Sequence, residues 1–150
     1  MEETARWRNP LLSILVPMLI TFGIQRLVLH HSSPDTHVFI AGHLVHHLFS
    51  GVLILIPTAF LLAVGIRTPW RRSLAQVVLG FASAMVLDEV IYLVATDGSG
   101  VAYRGSVSLW GAVALLSLAT AFLVGVHALT RRSPVVRGQI HPRSTSSPLM

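Results

Sequence analysis

Four apolar stretches, each long enough to cross a bilayer, dominate this sequence and leave few folds open to it. They run over about 10–29, 38–65, 73–96 and 105–129. Roughly 20 apolar residues span a hydrocarbon core of about 30 Å. Backbone groups in lipid find no water, so an isolated run must pair its own N–H and C=O groups, and it does so as a helix. The expected fold class is therefore all-α, a four-helix transmembrane bundle. Only 11% of the 150 residues are charged, whereas a soluble domain carries about a quarter. That leaves too little polar surface to coat a globule in water. Residues 1–130 read as one transmembrane domain. Residues 131–150, rich in Arg, Pro and Ser without an apolar period, read as a disordered basic tail.

The arginines set an orientation. All eleven basic residues are Arg, and most flank the first run, the join between the second and third, or the end of the fourth. Arg6, Arg8, Arg67, Arg71, Arg72, Arg131, Arg132, Arg137 and Arg143 fall on one side, opposite Arg104 and the end of helix one at Arg26. Positive flanks face the cytoplasm, so the expectation is a multi-pass protein of the cell membrane with both termini inside. Arginines beside apolar runs fit topology and anionic lipid better than nucleic acid. No phosphate-cradling glycine loop or nucleophile elbow is present. The absence of Cys excludes disulfides and thiolate metal sites. The first run is too long for a signal peptide core and lacks a small-residue cleavage site, so it reads as a retained helix.

Turn clusters separate the runs at Ser32–Asp35, Arg67–Arg72 and Asp97–Gly100. Small residues four apart, Gly80 and Ala84 on helix three and Ser117, Ala121 and Gly125 on helix four, are the expected helix contacts. Trp7, Trp70, Tyr103 and Trp110 read as interfacial aromatics. His30, His31, His37 and Asp35 read as solvated residues near the first outer loop.

The chemistry concentrates in two segments. Helix two is expected to carry His43, His46 and His47, which at about 100° per residue fall with Ser50 on one face about 100° wide. Helix three carries Asp88, Glu89 and Tyr92, again on one face. Counted from the outer ends at 1.5 Å per residue, the histidines lie roughly 7–14 Å deep and the acids roughly 10–12 Å deep. Imidazoles and carboxylates can thus meet at one level. A central acid costs about 2.5–3.5 kcal/mol on insertion, so two adjacent acids must be compensated or used.

Three compensations are open. A divalent metal, Zn²⁺ or Fe²⁺, would be held by His43, His46, His47, Asp88 and Glu89, the i, i+4 histidines being a helix ligand spacing. Arg26, beside Gln25, would form a buried ion pair. Histidine–carboxylate pairing without metal would make a proton-carrying network. The first leads to a metal-dependent membrane enzyme acting on a lipid-soluble substrate, with Glu89, Asp88 and Tyr92 as its catalytic groups. The others lead to a small transporter or proton-coupled binding module. A narrow four-helix bundle would be completed by a homodimer. A haem protein normally draws its axial histidines from two helices, and these lie on one.

His43-Leu44-Val45-His46-His47 resembles the HxxHH box of membrane di-iron desaturases and hydroxylases. Those enzymes use several such boxes and no Asp–Glu pair, so the resemblance carries no activity here. The arrangement His46-His47-Leu48-Phe49-Ser50-Gly51 followed by Leu87-Asp88-Glu89 is similar to that of uncharacterised small four-helix bacterial membrane proteins, which implies the fold and the cluster but no reaction.

Overall fold

In the computed structural model, residues 9–31, 39–40, 43–44 and 47–132 are described. Helices α1 (Pro10–His31), α2 (His47–Val64), α3 (Pro69–Ala95) and α5 (Ser106–Arg132) are joined by a short helix α4 (Gly100–Arg104) and a two-residue antiparallel pair, β1 (Phe39–Ile40) and β2 (His43–Leu44). The four long helices are each long and apolar enough to cross a membrane. The tail expected to be disordered lies, from residue 133, outside the described residues, as do Arg6 and Arg8.

Local signals set the ends of these helices. Asn9 caps α1, its Oδ1 accepting from the Leu11 amide at 3.2 Å, with Pro10 as first helical residue. Thr68 and Pro69 open α3. Helix α2 stops before Gly65, whose φ of +92° is the left-handed conformation that ends many helices.

Helix α3 is the axis, and α1, α2 and α5 pack around it. Each seam has one glycine where backbones close up. A Cβ on Gly51 would meet the Met85 Cβ at 2.9 Å, one on Gly80 the Ile14 carbonyl oxygen at 2.2 Å, and one on Gly111 the Ile91 side chain at 2.2 Å. Close approach at small residues is how helices associate in lipid, where burying apolar surface gains nothing. Leu15, Met18, Ala84 and Leu116 form the apolar centre. The outer surface is apolar too: Phe60 and Phe122 are each 68% exposed, as lipid-facing side chains are.

Two expectations need correction. The second helix does not begin near residue 38; it begins at His47, and His43 belongs to an extended pair. The shared helical face assumed for the three histidines is therefore absent. Starting at His47 lets the acid at Glu89 receive a free amide of the first turn (below), an arrangement that helical periodicity does not register. On α5, Ser117, Ala121 and Gly125 are exposed, and the packed face is Ser108, Ala112 and Leu116. Both sets have the same spacing, one residue or about 100° apart, so spacing alone does not choose between them.

Candidate functional site

The two acids of α3 are buried, Asp88 at 0% exposure and Glu89 at 2%. Their compensation begins with Arg26 on α1. Its Nε lies 2.6 Å from Asp88 Oδ1. Its Nη2 donates to the Asp88 carbonyl at 3.3 Å, the Ser108 carbonyl at 3.3 Å and Ser108 Oγ at 3.2 Å, and Nη1 to the Tyr103 carbonyl at 3.4 Å. The planar fork of a guanidinium can tie three elements together in this way; a lysine ammonium would act only as a point charge. One arginine thus joins α1, α3, α4 and the start of α5 around one carboxylate.

The other Asp88 oxygen accepts from the Tyr103 hydroxyl. That hydroxyl also lies 2.8 Å from His47 Nε2. A phenol has one proton to give. When it goes to Asp88, the imidazole N–H donates to the phenol oxygen; when it turns to His47, the Asp88 oxygen is released. Burial, followed by the adjacent Asp88 carboxylate, pushes the Tyr103 phenol well above its ordinary value. Tyr103 is therefore held as a hydroxyl and not as a phenolate.

Glu89 meets the start of α2. Its Oε2 accepts from the Leu48 amide at 2.5 Å and lies 3.6 Å from His47 Nε2, as does Asp88 Oδ2. The first amides of a helix have no partner within it, and a carboxylate there is favoured by the helix dipole. His47 is 32% exposed at its side chain, so the cluster is dry on the acid side and open on the imidazole side.

Tyr92 is 3% exposed. Its hydroxyl donates to the Gly98 carbonyl, and its ring packs on Tyr103 with centroids 4.6 Å apart. His46 lies outside the described residues, and only the backbone of His43 is described. Among the described residues no group of three His, Asp or Glu side chains is arranged to hold a metal ion.

The structure brings together His47, Asp88 and Glu89, which helical spacing and depth place at one level, and Arg26, their expected counter-ion. It adds Tyr103 and Ser108. Tyr103 reads in sequence as an interfacial aromatic, and an aromatic at a helix end gives no signal that separates the two roles. Ser108, fully buried, is one polar residue in an apolar run, a weak signal that could have been followed.

No protein-family model, curated protein or solved structure matches this chain.

Proposed function

We propose that this chain is a four-pass integral membrane protein, both termini cytoplasmic, whose outer half holds a proton-binding centre. The centre serves a small transporter or proton-coupled binding module. The observation that carries this reading is the Tyr103 hydroxyl set between His47 and Asp88 while Arg26 pairs with Asp88. The geometry explains why that arrangement is a proton site. Ionisable groups buried at membrane depth are costly and mark proton relays. His47 Nε2 lies 3.6 Å from a carboxylate oxygen of both Asp88 and Glu89. The Tyr103 hydroxyl joins that imidazole to Asp88 and gives a proton a path between them. The partially exposed imidazole gives that proton a way in from the outer side.

Proteoliposomes carrying an imposed pH gradient test the reading. Vesicles with the wild-type chain should dissipate the gradient faster than empty vesicles by about tenfold, equivalent to about 1.4 kcal/mol in barrier. Glu89→Gln and His47→Ala should each return the rate to that of empty vesicles. Wild-type flux equal to that of empty vesicles, or unaffected by Glu89→Gln, contradicts it. A Zn or Fe content near one ion per chain, lost in His47→Ala, would favour the metal-dependent enzyme instead, with His43 and His46 completing the ligand set.

A further inference from the structure

We propose that residues 99–104 form a hinged lid over the buried carboxylates and that Tyr92 is its latch, a positioning residue that acts through Tyr103. This rests on the reading of the His47–Tyr103–Asp88 contact as the working centre.

The segment has the build of a lid. Ser99 caps α4, its Oγ accepting from the Ala102 amide at 3.1 Å, and the Asp97 carboxylate accepts from the Ser99 amide at 3.0 Å, so this turn is tied together by its own hydrogen bonds. Glycines stand at both ends. Gly98 has φ +74°, with open space where a Cβ would be, and Gly105 follows Arg104. Between them Val101 is 74% exposed, and the Tyr103 ring packs on Tyr92 with the Arg26 guanidinium 5.1 Å from its centroid. Polar holds accompany that stacking. Tyr103 gives its hydroxyl to Asp88 and its carbonyl to Arg26, and Gly98 gives its carbonyl to the Tyr92 hydroxyl. These holds are few enough to be exchanged for contacts to an incoming ligand. With the lid lifted, Asp88 and Glu89 face the outer side; with it shut, Tyr103 fills the space above them.

The latch acts through geometry. Tyr92 is rooted in α3, so its hydroxyl fixes the hinge at Gly98 and its ring backs the Tyr103 ring. Removing the hydroxyl releases the hinge while leaving the ring.

Ultraviolet titration of the phenolate band reads this. The chain has two tyrosines, so Tyr92→Phe leaves Tyr103 alone, and the difference between wild type and Tyr103→Phe isolates the same residue with its latch. A closed lid keeps a proton that the unfolded chain loses above about pH 10. This contribution to stability is whole below that pH and falls away above it. In wild type, Tyr103 should stay silent until the helices unfold. In Tyr92→Phe it should ionise near pH 10 in a protein that keeps its full helical circular dichroism. A Tyr103 as silent in the folded variant as in wild type overturns the latch, even if melting is lowered. Gly98→Ala, which strains the hinge without steric conflict, should free Tyr103 in the same way, measured against Gly98→Ala/Tyr103→Phe, and decides the matter should Tyr92→Phe not fold. The titration reads the lid whether or not the vesicles carry protons, so either idea can fall alone.

Discussion

Arg26→Leu should be the most damaging single substitution in the polar cluster, lowering stability by about 3–5 kcal/mol. The reason is what it leaves behind. Asp88 is fully buried and its partner side chain only 13% exposed, so removing the guanidinium strands a carboxylate with no solvent to turn to. Ser108 and the carbonyls of Asp88 and Tyr103 lose their donor in the same step. Detergent-micelle unfolding followed by circular dichroism is the measurement. The companion Arg26→Leu/Asp88→Leu should recover much of the loss, since a buried ion pair replaced as a whole by apolar groups is often neutral or better. Arg26→Lys should fall between, keeping the charge but not the fork. An Arg26→Leu protein that melts like wild type would mean that the pair does not form.

The second large effect belongs to the seam between α1 and α3. Gly80→Ala places a methyl group 2.2 Å from the Ile14 carbonyl oxygen and 3.0 Å from Pro17 Cγ. The first is backbone, which cannot rotate aside, so the helices must separate. Overpacking of this kind costs about 1–3 kcal/mol, and a backbone obstacle puts Gly80 at the upper end. Gly125→Ala is the control. Nothing lies within 4 Å of the added carbon, so helix propensity alone applies and stability should hold or rise by up to about 1 kcal/mol. The reverse order in the same unfolding assay would restore the Ser117–Ala121–Gly125 face as the packed one.

These two substitutions mark how far the sequence could be read. Four helices follow from run length, because lipid leaves the backbone no other partner. Gly80 and Ala84 were legible as a contact because no competing small-residue set exists on α3. On α5 two sets compete, and only the partner helix decides between them. The acids were legible through their cost, and Arg26 through being the one cation near their depth. Tyr103 was not: its role depends on a one-turn helix folding back over Asp88, and local composition does not encode that return. The start of α2 is illegible in sequence for a related reason. Apolar periodicity runs smoothly back towards Val38, while the observed start at His47 coincides with a tertiary contact between Glu89 and the Leu48 amide, forty-one residues away in sequence.

Everything proposed for the centre depends on one contact, the phenol of α4 meeting the imidazole of α2. Solid-state NMR in lipid bilayers can measure it as the separation between ¹³Cζ of Tyr103 and ¹⁵Nε2 of His47. A hydroxyl 2.8 Å from the imidazole nitrogen corresponds to a carbon–nitrogen distance of roughly 4 Å, given ordinary hydrogen-bond geometry. A value near that supports the relay. A separation beyond about 7 Å, too far for any shared hydrogen bond, would leave His47 outside the carboxylate cluster and contradict the account.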